Sequence, residues 1–232
     1  VPDGKSPVPL ALAFAGGVFL VALSIPQILG GLNLIGQEGT LDSLAGVAFA
    51  RPLAPAELAA AIARWGAAAP EIDDSDTWTG YGDLLYAAAA AAGGDKARRA
   101  QLLAAATAAY RNALAEGPAN ARAWTMLAAA RAEVDATPEQ IYPILKMSLH
   151  TGPREEGLIF TRLDLAFYLW RILGPALQAA IQDQVLIAAV DDPRTLAVMT
   201  HRHYMLGPVR DMLGADPKVG RRFDAVYSRL FP

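Results

Sequence analysis

The chain has 232 residues, 53% hydrophobic and only 19% charged, which leaves room for one membrane segment and one domain of about 190 residues. Its formal net charge is −3 with both signs scattered, so no basic stripe exists to track phosphates and nucleic acid is not an expected partner. Cysteine is absent, which removes disulfides, thiol catalysis and Cys-ligated zinc and is compatible with an oxidising compartment. Alanine is abundant and β-branched residues are sparse, a balance that predicts an all-α protein.

Taken in chain order, residues 1–36 read as a membrane anchor. No charged side chain occurs from Val8 to Ile35. At 1.5 Å per residue, a helix from Pro9 to Leu29 spans about 31 Å, the thickness of a hydrocarbon core. Gly16, Gly17 and Pro26 are tolerated in a lipid-embedded helix. The nearest Ala-x-Ala triplet, Ala48-Phe49-Ala50, stands too far beyond the apolar core for signal cleavage, so the span is expected to persist. Lys5 precedes it, while Glu38 and Asp42 follow it. Positive charge stays cytoplasmic, which puts the larger domain in the periplasm of a bacterial inner membrane. Residues 8–35 thus take the bilayer as their partner.

Residues 37–54 read as a linker, interrupted by Gly39, Gly46 and Pro52. The helical domain occupies 55–232. A first helix is predicted from Pro55 to about Ala68, followed by an acidic loop from Pro70 to Asp76. Thr137-Pro138-Glu139-Gln140 is a capping box, and Asp192-Pro193 and Asp216-Pro217 repeat the pattern of a cap followed by proline. Gly93-Gly94, Gly117-Pro118 and Gly152-Pro153 mark helix ends. Further helices are predicted over 156–173, 175–190 and 193–213, with a last one from Asp216 to Phe231.

An internal period organises the middle of this domain. Trp124, Leu127 and Ala128 open one unit; Ala106, Tyr110, Ala113 and Pro118 close the unit before it. Trp78, Tyr81 and Gly82 fit the start of that earlier unit if about a dozen residues are inserted around Gly93 to Arg99. Ile141, Leu145, Ser148 and Pro153 fit the end of the later one with a one-residue shift. Over 76–154 the chain resembles the tetratricopeptide repeat (TPR) superfamily; a plain helical bundle is the alternative. The resemblance implies an α-solenoid of antiparallel helix pairs, with 155–232 as divergent repeats and a cap. There Arg162 and Leu163 stand where the repeat pattern wants Leu and a small residue. It also implies a binding groove for a protein partner, formed by Asp76, Thr79, Asp83 and Tyr86 from the first unit. Arg122, Thr125, Met126 and Glu133 complete it from the second.

Little else carries chemistry. His201 and His203 are two apart on a predicted helix, so their side chains point about 200° from each other and cannot share a metal ion. His150, at a helix end, suits the helix dipole. Asp73, Asp74 and Asp76 lack the register and closing Glu of a calcium loop and read as helix-capping charge. Glu155 and Glu156 are adjacent rather than opposed across a substrate. Arg210, Lys218, Arg221, Arg222 and Arg229 form a modest basic patch that reads as a solvated face.

No nucleophile-base order, phosphate loop or dinucleotide fingerprint occurs, so no catalysis, cofactor or metal is expected. The expected function is that of an anchored scaffold binding another envelope protein. In architecture it is similar to accessory factors of polysaccharide export and of cytochrome c maturation. The alternative is a structural accessory subunit packed through its transmembrane helix into a larger membrane complex.

Overall fold

Five of the helices begin with proline at their first position, where a missing N–H has no intrahelical acceptor to lose and a fixed φ favours the helix. In the computed structural model, which describes residues 53–134 and 136–232, the helices are α1 (Pro55–Ile72), α2 (Ser75–Ala91), α3 (Lys96–Glu116), α4 (Ala121–Ala132) and α5 (Pro138–Thr151). They continue as α6 (Ile159–Tyr168), α7 (Pro175–Asp191), α8 (Pro193–Arg202), α9 (Leu206–Leu213) and α10 (Pro217–Leu230), with 3-10 turns at Glu156–Leu158 and Trp170–Ile172. Among the described residues there is no strand, and the protein is all-α. The expected anchor, 1–36, and the linker up to residue 52 lie outside the described residues. Among those described, no helix is long and apolar enough to cross a membrane.

Short acidic and amide side chains fix where the helices start. Asp74, Asp95, Asn120 and Asp192 each accept from a backbone N–H three residues on, at 2.7–3.0 Å. Each such cap contributes about 1 kcal/mol. At α5 the Thr137 N–H donates to Gln140 Oε1 (3.2 Å), the return arm of the expected capping box.

Packing follows chain order. The longest contact is between α2 and α3; α1 packs on α2, α3 on α4 and α4 on α5. The helices α2, α4, α6 and α8 also touch in succession, forming one row. The apolar interior divides along the same axis. Leu58, Ala61, Trp65 and Leu84 close the first end; Leu85, Leu102, Leu103, Tyr110 and Leu127 fill the middle. The largest cluster joins α4 to α10 through Ile141, Leu145, Leu163, Ile181, Leu196 and Phe223. Burying each such side chain stabilises the fold by about 1.5–3 kcal/mol.

Glycine lets α2 approach both of its neighbours, α1 and α3. A Cβ on Gly80 would lie 2.3 Å from the Trp65 ring, and one on Gly82 would lie 2.5 Å from the Tyr110 ring. Trp65 and Tyr110 are therefore seated directly against helix backbone.

Three local expectations need correction. Helix α1 runs through Pro70 to Ile72. Asp73 then adopts φ +52°, and the acidic loop shrinks to Asp73 and Asp74. The extra residues expected around Gly93 to Arg99 fall where α2 meets α3. They lengthen α2 and α3 to 17 and 21 residues, joined by a tight turn at Gly93 with φ +56°. The helix expected over 156–173 is a single α-helical segment, α6, flanked by two 3-10 turns. Finally, the helix expected over 193–213 is broken in two. Tyr204 turns out at φ +57° between the two, and Pro208 falls in the first turn of α9, where no intrahelical bond needs its N–H.

Arg162, the residue that breaks the repeat pattern, is fully buried. Its Nε donates to Ser148 Oγ (2.8 Å), Nη1 to the Gly152 carbonyl (2.8 Å) and Nη2 to the Ser148 carbonyl (2.9 Å). The guanidinium adds a charged donor to two carbonyls at the end of α5, each of which also accepts a longer backbone N–H bond of 3.3 Å. Burial lowers its pKa, and Glu155 opposes that shift.

Candidate groove

The row α2, α4, α6 and α8 carries three depressions that share lining residues. The first, about 590 Å³, lies between α2 and α4 and is lined by Ser75, Asp76, Thr79, Asn120, Arg122 and Glu155 among others. Asp83 and Arg122 pass from it into a central pocket of about 200 Å³ with Tyr86, Met126, Leu158 and Thr161. Tyr86 and Thr161 in turn enter a third of about 480 Å³, bounded by Glu133, Phe160, Asp164, Arg194 and Arg202. Together they make one groove along the helix row.

A buried polar network underlies the junction of the first two depressions. Asp83 is 5% exposed and accepts from Tyr110 Oη (2.9 Å) and Arg122 Nε (2.8 Å). Burial holds its carboxyl above the ordinary value, while Arg122 and Tyr110 pull it back down. The Tyr110 hydroxyl is pushed well up, first by burial and then by the carboxylate it faces. Arg122 is partly exposed to the groove, so the pair presents a cation whose countercharge is hidden behind it.

Asn120 organises the first depression. Its side-chain oxygen caps α4, and its amide reaches Ser75 Oγ (2.9 Å), Thr79 Oγ1 (3.2 Å) and Asp76 Oδ1 (3.4 Å). At the other end Glu133 pairs with Arg99, and Asp164 accepts from His203 Nε2 at 2.8 Å and lies 3.5 Å from Arg202. The Tyr86 hydroxyl stands between these groups; burial, then Glu133, raises its pKa against Arg99.

Seven of the eight groove residues named from the sequence line these depressions: Asp76, Thr79, Asp83, Tyr86, Arg122, Met126 and Glu133. Thr125 does not. It is fully buried, donates to the Ala121 carbonyl (2.8 Å) and meets the Ser148 hydroxyl, so its face of α4 packs on α5. Asp83 and Thr79 are mostly buried and form the groove's floor rather than its free surface.

The sequence reading missed Asn120, Glu155, Gly157, Thr161, Asp164, Arg194 and Arg202. Gly157, Thr161 and Asp164 stand thirty-five positions after Arg122, Met126 and Ala129, but the residue types do not repeat, so spacing gave no signal for them.

The remaining polar groups serve the fold. Asp73 accepts from Trp78 Nε1 (2.8 Å), and Asp74 binds both the amide and the hydroxyl of Thr77. His150 ends α5, and exposed Glu155 and Glu156 stand at the turn into α6. His201 stacks on Phe231 at 3.8 Å and faces the Tyr227 hydroxyl, whereas His203 turns to Asp164, so the two imidazoles have separate partners. Arg210 pairs with Asp224 in the basic patch. Among the described residues, no three His, Asp or Glu side chains are grouped to hold a metal ion. No protein-family model, curated protein or solved structure matches this chain.

Proposed function

We propose that this chain is a non-enzymatic, membrane-anchored scaffold of TPR-like helix pairs whose groove holds a segment of another envelope protein near the membrane. The observation that carries the reading is the continuity of the groove across α2, α4, α6 and α8. A long depression with polar walls and a Tyr–Met centre suits an extended or helical segment better than a small metabolite. An uncharged stretch from Val8 to Ile35 supplies the anchor, and tethering raises local concentration so that modest groove contacts suffice. The domain then faces the periplasm of a bacterial inner membrane.

A second reading rests on a different face. Tyr168, Ile172 and Tyr204 are 51%, 39% and 92% exposed around a depression of about 650 Å³. An accessory subunit of a larger membrane complex would bury such side chains against its neighbours.

Gly157 provides the discriminating variant. It lines the central pocket, and a Cβ there meets nothing within 4 Å, so Gly157→Phe starts a bulky side chain from open space at the groove. A photo-crosslinker at Thr161 in native membranes is expected to trap a partner that Gly157→Phe releases. A crosslinker at exposed Arg111 of α3 traps none. Equal trapping from both positions refutes the groove, and trapping only beside Tyr204 supports the subunit reading.

A further inference from the structure

The groove's two ends differ in charge. Resting on the groove reading above, we infer that its occupant is a bipolar peptide segment, basic at one end, apolar in the middle and acidic at the other.

At the α2–α4 end, Asp76 and Glu155 are exposed carboxylates. The single cation there, Arg122, is already neutralised by buried Asp83. Asn120 sends its amide to the rim oxygens of Ser75, Thr79 and Asp76, holding them in place. This end has one carboxylate without a cationic partner, Asp76, a second, Glu155, whose charge is shared with buried Arg162, and a row of acceptors, which together suit a Lys or Arg side chain.

At the α6–α8 end the balance reverses. Both carboxylates are already engaged, Glu133 by Arg99 and Asp164 by His203 and Arg202. Arg194, exposed on the first turn of α8, adds a cation on the same rim. This end suits an acidic side chain or a chain-terminal carboxylate. Between them the central pocket has apolar walls from Tyr86, Ala87, Met126 and Leu158 and room for one bulky apolar side chain. A segment with the charges at its ends and an apolar anchor between them complements all three stations. One of uniform charge meets repulsion at one end.

The test measures fluorescence anisotropy of three labelled short peptides with the full chain in nonionic-detergent micelles. One carries lysines at one end, a central leucine-rich run and glutamates at the other; the second has lysines at both ends, the third glutamates at both. The bipolar peptide is expected to bind tightest, with each mismatched end weakening binding about fivefold at low salt. Asp76→Asn with Glu155→Gln should abolish the advantage of the bipolar peptide over the all-glutamate one. Arg194→Gln with Arg202→Gln should abolish its advantage over the all-lysine one. Glutamine is chosen at 155 because a lysine there would set a cation near buried Arg162. All of these positions are surface or rim residues, and circular dichroism checks that the variants remain helical. Binding of all three peptides alike, or a preference that survives both neutralised pairs, overturns the bipolar occupant while leaving the groove standing. No binding of any peptide overturns the groove reading and this inference together.

Discussion

Removing one hydroxyl from the buried network tests the packing and the electrostatics together. Tyr110→Phe keeps the ring that packs against Gly82 and deletes only the hydrogen bond to Asp83. A hydrogen bond to a charged group is worth about 1.5–3 kcal/mol, and here its loss leaves a buried carboxylate with Arg122 as its remaining partner. With a urea dependence of about 2 kcal/mol per molar, the unfolding midpoint near neutral pH should fall by about 0.8–1.5 M. Tryptophan fluorescence reports the change, since Trp78 and Trp124 belong to the helices that carry Asp83 and Arg122.

The pH dependence has a definite sign. Asp83 titrates above its ordinary value in the folded protein, so its proton is held more tightly folded than unfolded. Its contribution to stability is therefore largest in acid and declines as pH rises above the ordinary value of 3.8 through the raised one. Tyr110 opposes that shift by stabilising the ionised form. The penalty of Tyr110→Phe should thus be full at neutral pH and shrink as pH falls through the raised Asp83 value. A loss under about 0.5 kcal/mol at neutral pH, or one independent of pH, would refute the assignment of Asp83 as a buried, ionised acceptor.

Three further outcomes are expected. Gly80→Ala and Gly82→Ala gain helix propensity yet should each destabilise by about 1–3 kcal/mol, because the added methyl meets Trp65 or Tyr110; Gly157→Ala, with open space, should stay within about 0.5 kcal/mol in thermal melts. Arg162→Ala should cost about 3 kcal/mol or more by urea titration, since it removes three buried hydrogen bonds at the end of α5 and empties a buried volume. Arg162→Lys should recover little, because an ammonium does not supply the same three-nitrogen fork. Asp192→Ala removes the α8 cap and should cost about 1 kcal/mol at neutral pH. The Asp192 pKa is lowered, chiefly by Thr195, so this difference is present above pH 3.8 and vanishes as pH falls through the lowered value.

Helix content and most helix starts were legible in the sequence. Ala-rich composition, proline at first positions and Asp or Asn caps are local signals, and local hydrogen bonds decide them. Seven groove residues were also legible, because the spacing from Trp78 to Trp124 sets which side of α2 and α4 faces the row. Thr125 was misplaced by that same logic. One residue's rotation on a helix moves a side chain from groove to core, and the partner that claims it, Ser148 of α5, is twenty-three positions away.

What only the tertiary structure decided is how distant charges are matched. Nothing local to Arg162 says that its guanidinium will end α5, or that Asp83 will be buried between Tyr110 and Arg122. The same holds for the break at Tyr204, with its φ of +57°, and for the groove's third station on α8. Sequence fixes a helix through neighbours a turn apart; a groove and its polarity come from helices that meet only after the row is built.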